Sequence, residues 1–250
     1  MIFIVDFNFK TLFQFFDLLN FIKYLQYCRF IYIYIYMEAV QIYGPFCTGT
    51  DLIWKIIKEN VKNVKLRRYG STHLWKHTID IESLKDTVIK NPKSIFICMY
   101  KPPCHWIESI KKESYDITIN EENLMGSCSM QGKEYKNLIE MYNIYYLNYK
   151  NLIENYKNVI CMNYYELLDI DNIRKYINNK LKPFDLTLKK DDNIKEILNK
   201  PSKNHGNSVK NFSQALNKKK ILDEKLKESD IKHLHDKEVD KAIHEFFNSR

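Results

Sequence analysis

Gly44-Pro45-Phe46-Cys47-Thr48-Gly49-Thr50-Asp51 is the first group of residues whose types and spacing can do chemistry. It follows the apolar run Val40-Gln41-Ile42-Tyr43 and precedes a helical pattern that puts Leu52, Ile53, Ile56 and Ile57 on one face. Strand, glycine-bearing loop and helix in that order make a phosphate cradle. Backbone N–H groups and the positive end of the helix point at an anion, and Gly44 and Gly49 let the backbone come close. The glycine spacing is that of a Walker A loop, but that motif ends Gly-Lys-Ser/Thr. This chain ends Gly49-Thr50-Asp51, so Thr50 can bond a phosphate oxygen but no lysine stands beside it. On this segment alone two alternatives stay open: an ordinary strand-to-helix turn, and a P-loop kinase or other NTP enzyme.

A second group follows the apolar run Ser94–Tyr100. Lys101, Pro103, Trp106 and Ser109 stand there, where a helix is expected to start near Cys104 or His105. Lys101 offers a point charge and Ser109 a hydroxyl donor. A solvated lysine and a helix-surface serine are the bland alternatives, and Trp106 reads as packing. A third group is Trp75-Lys76-His77, after a short strand expected over Val64–Tyr69. The six cysteines form no CxxC pair and no zinc-type cluster with histidine. Cys98 and Cys161 lie in apolar runs and read as small buried hydrophobes. No metal is expected.

The elements that must position these groups come from periodicity. Helices are expected near 50–62, over Glu82–Lys90, after Lys101-Pro102-Pro103, over 134–156, over 170–181 and in the last thirty or so residues. A third buried strand is expected over Asn158–Asn163, and residues 116–133 read as a loop or lid. The tyrosine stripe of the 134–156 helix reads as a core face. Apolar strands separated by helices give an α/β fold: three layers around a central parallel sheet, with ligands at the strands' C-terminal ends. A chain of 250 residues with 45% hydrophobic content supports one large domain, here 37–250. Residues 1–36 are an apolar, tyrosine-rich extension interrupted by Asp17, Lys23 and Arg29. It is read as non-native sequence ahead of Met37, with a membrane anchor or a signal peptide as the alternatives. The expected location is cytoplasmic, with anchoring through 1–36 as the other reading. The net charge of +8 favours anionic ligands but is spread along the chain, so no nucleic-acid partner is expected.

These residues together resemble the sulfotransferases, enzymes that use 3′-phosphoadenosine 5′-phosphosulfate (PAPS). Cys47-Thr48-Gly49-Thr50 is similar to their 5′-phosphosulfate loop, and Lys101, Pro103, Trp106 and Ser109 match their second signature at the same offsets. A tyrosine-rich helix, a strand and Tyr165-Glu166-Leu167-Leu168 extend the resemblance from about residue 38 to the C-terminus. It implies a P-loop-containing nucleotide-binding architecture and sulfuryl transfer from PAPS to a hydroxyl or amine, without a metal, leaving the bisphosphate PAP. The acceptor would be a small molecule or a carbohydrate. It further implies that Gly44, Cys47, Thr48, Gly49, Thr50 and Asp51 lie around the 5′ group. Lys101 and Ser109 would hold the 3′-phosphate. His77 would be the general base and Lys76 would support the leaving group; His73, His105 and Glu82 are rival bases. A late basic stretch with Lys203, His205 and Lys210 would close over the nucleotide. The chain departs from the pattern at Cys47, where the family usually has Lys or Arg; the expected thiol is neutral. That departure keeps a catalytically weak PAPS-binding protein as the alternative.

Overall fold

Four consecutive buried residues, Val40–Tyr43, form the first strand, β1, of the computed structural model, which describes residues 39–62, 64–66, 74–119, 126–199 and 239–249. Helix α1 (Thr50–Asn60) follows the glycine loop and buries Leu52, Ile53, Ile56 and Ile57. Helix α2 (Ile81–Lys90) starts at Asp80, whose carboxylate accepts from the Ser83 N–H. Strand β2 (Ile95–Tyr100) is buried at all six positions and runs into α3 (Pro103–Lys112), which has proline at its first position. Three short strands come next: β3 (Thr118–Ile119), β4 (Cys128–Met130) and β5 (Lys133–Tyr135). Helix α4 (Leu138–Asn155) is capped by Asn137, and β6 (Val159–Asn163) follows it. Helices α5 (Ile173–Leu181), α6 (Ile194–Asn199) and α7 (Lys241–Asn248) complete the described α-helices, with a 3-10 turn, Lys182–Phe184, after α5.

The main sheet has the order β1-β2-β6 and every pairing is parallel. The register sets Val40 beside Ile95 and Phe96 beside Val159, so the three carboxyl ends lie along one edge. Parallel strands need crossovers, and helices in those crossovers cover the sheet faces, which explains the unbroken burial of β1 and β2. The α/β architecture around a parallel sheet is therefore observed. The tyrosine stripe is core: Tyr142, Tyr145, Tyr146 and Tyr149 of α4 are all at most 2% exposed.

Some expectations need correcting. Within 116–133, expected as a loop or lid, the described residues include β3 and β4, which pair antiparallel with each other and, through β4, with β5; residues 120–125 lie outside the described residues. Gln131 and Gly132 have φ of 54° and 73°, the two-residue turn that matches hairpin twist. Over Val64–Tyr69, the described residues give one parallel bridge, Val40 to Leu66, and no strand. The lysine-rich stretch from 189 contains α6. Residues 1–36, His73, Lys203, His205 and Lys210 lie outside the described residues. No helix among the described residues is long and apolar enough to cross a membrane.

Candidate anion-binding and transfer site

The loop after β1 is held through its carbonyl groups, three of them from outside and one from within the loop. Gly44 O meets His77 Nδ1 at 2.6 Å, and Pro45 O accepts from Thr48 Oγ1 at 2.6 Å. Phe46 O accepts from Trp106 Nε1 at 2.8 Å, and Cys47 O accepts from Lys101 Nζ at 3.1 Å. A trans peptide sets its N–H opposite its C=O. Four engaged carbonyls in a row therefore turn the N–H groups of Phe46, Cys47 and Thr48 the other way, and these find no acceptor among the described residues. Helix α1 adds the N–H groups of Thr50, Asp51 and Leu52, which precede its first internal bond, Ile53 N to Gly49 O at 3.1 Å. No side chain caps that helix start. The unengaged N–H groups of the loop and of the helix start thus lie close together in the chain, beside the positive end of the α1 dipole.

Two backbone conformations make the loop possible. Cys47 has φ of 61° and Gly49 has φ of 83°. A Cβ on Gly49 would stand 2.4 Å from Tyr164 Cδ2, and one on Gly44 would stand 2.6 Å from Thr48 Oγ1 and 2.8 Å from Met99 Cβ. Both glycines are thus required by close approach. Gly49→Ala should lower stability by about 1–3 kcal/mol through strain and contact with the tyrosine ring. Thermal melting checks this, and Tyr164→Ala in the same chain should recover the contact part but not the backbone part.

Lys101 stands at the carboxyl end of β2, 6% exposed. Its ammonium donates to Ser109 Oγ at 2.7 Å and to Cys47 O, and it lies 4.8 Å over the Tyr164 ring. Ser109 donates in turn to His105 O at 2.9 Å. No carboxylate among the described residues forms an ion pair with Lys101. Burial pulls its pKa down to about 8, so it is still mainly protonated at neutral pH. A buried cation without a counter-charge is costly unless an anion completes it.

The third group lies on the other side of the loop. Gly44 N donates to Lys76 O at 3.0 Å, which ties the two segments together. Lys76 Nζ reaches Asp51 Oδ1 at 2.7 Å, so its charge is brought to the first turn of α1. Burial drops the His77 pKa to about 4, so the ring is neutral at pH 7. Its Nδ1 faces a carbonyl, which only accepts, so Nδ1 carries the proton and Nε2 keeps its lone pair. Phe46 and Trp75 pack on the ring at 4.2 and 5.3 Å between centroids. Tyr115 stacks on Phe46 at 4.9 Å.

Lys76, His77, Lys101 and Ser109 are all brought to the loop, directly or through one another. Thr48 differs from the simplest expectation, since its hydroxyl staples the loop internally and only its N–H remains for a ligand. Asp51 likewise contributes its N–H, its carboxylate being engaged by Lys76. Trp106 is packing, as expected, and also pins the loop. Of the rival bases, His105 packs edge-on against Tyr165 at 5.1 Å, and Glu82 is an exposed residue in the first turn of α2. The Cys47 thiol is pushed up by burial and so stays protonated. Sequence reasoning missed Tyr164, which covers Gly49 and the Lys101 ammonium; its position directly after β6, at the same sheet edge, was the available signal. It also missed Tyr115. No group of three or more His, Cys, Asp or Glu among the described residues is arranged to hold a metal ion.

No protein-family model matches the chain, and neither the curated proteins nor the solved structures contain a match.

Proposed function

We propose that the protein is a PAPS-dependent sulfotransferase, transferring a sulfuryl group to a hydroxyl or amine acceptor. The observation that carries this reading is Lys101: a buried ammonium without a carboxylate partner, bonded both to Ser109 and to the phosphate loop. One cation therefore joins two anion-binding places at adjacent strand ends. A nucleotide with separate 5′ and 3′ phosphates fits that pair better than a triphosphate on a single loop. PAPS would supply the transferable sulfuryl group, with adenosine 3′,5′-bisphosphate as the leaving group. The loop N–H groups and the start of α1 would hold the 5′ side, and Lys101 with Ser109 the 3′-phosphate. Neutral His77 would take the acceptor's proton at Nε2 as the acceptor oxygen or nitrogen attacks sulfur. Lys76, at the start of α1, would offset charge developing on the departing oxygen.

Cys47 favours a second reading, a protein that binds PAPS but transfers slowly. The neutral thiol brings no positive charge of its own to the loop, and Lys76, the substitute at the start of α1, already faces Asp51. Assay of sulfate transfer from PAPS to sugars, phenols and tyrosyl peptides separates the two. Cys47→Arg should raise turnover by about tenfold or more, the scale of one added electrostatic contact to a transition state. An unchanged rate would show that this position does not limit transfer. A P-loop kinase remains the third reading, resting on Gly44 and Gly49 alone.

A further inference from the structure

Three tyrosines of α4 do more than fill the core. Tyr142, Tyr145 and Tyr146 stand at i, i+3 and i+4, the spacing that puts side chains on one helix face. Tyr142 Oη donates to Lys101 O at 2.9 Å. Tyr146 Oη accepts from Lys101 N at 3.2 Å and donates to Met99 O at 3.3 Å. Tyr145 Oη donates to His77 O at 2.5 Å, with Met130 Sδ 3.6 Å away.

The backbone explains why Lys101 needs these partners. The β2–β6 ladder ends at the pair Tyr100 and Asn163, and Tyr100 O is taken by Tyr164 N at 2.8 Å. Lys101 lies one residue beyond and is followed by Pro102 and Pro103, which have no N–H. Its own N–H and C=O are buried outside any ladder and must be satisfied by side chains. Adjacent turns of one helix satisfy both, while the residue between them holds the His77 segment.

We propose that Tyr142, Tyr145 and Tyr146 are positioning residues: through one helix face they fix the backbone of Lys101, the anion-binding cation, and of His77, the base. The roles of Lys101 and His77 rest on the sulfotransferase reading; the clamp itself rests on the hydrogen bonds. It divides the labour, with Tyr142 and Tyr146 serving Lys101 and Tyr145 serving His77. Tyr149 lies one turn on in the same stripe, and its hydroxyl has no hydrogen-bond partner among the described residues, so it provides a matched control.

The test is the set of single Tyr→Phe variants at these four positions, each first shown folded by thermal melting. Tyr142→Phe and Tyr146→Phe should each weaken binding of adenosine 3′,5′-bisphosphate about fivefold to tenfold, the scale of one buried hydrogen bond. Tyr145→Phe should leave that affinity within about twofold and lower kcat about tenfold, again on the one-bond scale. Tyr149→Phe should change neither. A second readout does not depend on the cofactor: NMR titration of the Lys101 side chain and of the His77 imidazole in the full chain. Tyr142→Phe and Tyr146→Phe should move the Lys101 signal and spare His77, and Tyr145→Phe should do the reverse. If wild-type protein binds no bisphosphate, the cofactor reading falls and the NMR pattern alone decides the clamp. Equal shifts in all four variants, or none, would overturn it, as would loss of melting temperature with affinity, kcat and both signals unchanged.

Discussion

Lys101→Met should reduce affinity for adenosine 3′,5′-bisphosphate by on the order of a hundredfold or more, the scale for truncating one partner of a buried charge pair. The same change should not destabilise the free protein. Methionine keeps the length and apolar body of the stem, and replacing a buried, uncompensated ammonium by an apolar side chain is neutral or stabilising. Ser109 keeps its bond to His105 O. Melting temperature without ligand is thus expected to hold or rise, while the rise caused by bisphosphate in the wild type disappears. The two signs together separate a ligand cation from a structural one, because a structural lysine would lower stability on removal.

The pH dependence has a definite direction. Burial lowers the Lys101 pKa from the ordinary 10.5 to about 8. In the free protein its charge is therefore lost as pH rises through about 8, and bisphosphate affinity should fall there, accompanied by proton uptake on binding. For stability the sign is opposite. Between about 8 and 10.5 the unfolded chain holds more protons at this position, so the free wild-type protein should gain stability with rising pH. The methionine variant should show neither effect.

His77→Asn should lower kcat by about a hundredfold to ten-thousandfold, the range for losing a positioned general base. Asparagine can place a donor where Nδ1 stands, and so keep the bond to Gly44 O, but it has no counterpart of Nε2. Bisphosphate affinity is accordingly expected to stay within about twofold, on the scale of one retained hydrogen bond. Because burial drops the His77 pKa to about 4, its base form persists through pH 5–8, and its limb in the rate profile should fall near the acid end. The unfolded chain takes up this proton near the ordinary 6.5, where the folded chain refuses it. The folded protein should thus lose stability as pH falls from about 6.5 toward 4, and the asparagine variant should lose less. Acid unfolding of the two proteins, followed by circular dichroism, gives the comparison.

Features written in a local pattern could be read from the sequence. β1, β2 and β6 are short apolar runs bounded by turns, and their burial matches a parallel sheet covered on both faces. The loop could be read from its two glycines between an apolar run and a helical pattern, and the Lys101–Ser109 pair from its resemblance to the second sulfotransferase signature. Other features depend on meetings across the chain, which no window of sequence contains. Tyr164 and Gly49 touch only because β6 and β1 end at the same sheet edge, and Tyr145 reaches His77 O over 68 positions. The small antiparallel sheet escaped because strands of two and three residues are too short for a period to show. Its clue was the Gln131-Gly132 turn between Cys128-Ser129-Met130 and Lys133-Glu134-Tyr135. The tyrosine stripe read correctly as core, but the pattern gave no sign that three of its hydroxyls bond the backbone of Lys101 and His77.

Titration calorimetry of the full chain with adenosine 3′,5′-bisphosphate and, separately, with ATP tests the proposed two-phosphate site most directly. Saturable one-to-one binding of the bisphosphate, tighter than ATP and lost in Lys101→Met, is the expected result. Binding of ATP with no binding of the bisphosphate would contradict it and return the loop to the NTP enzymes.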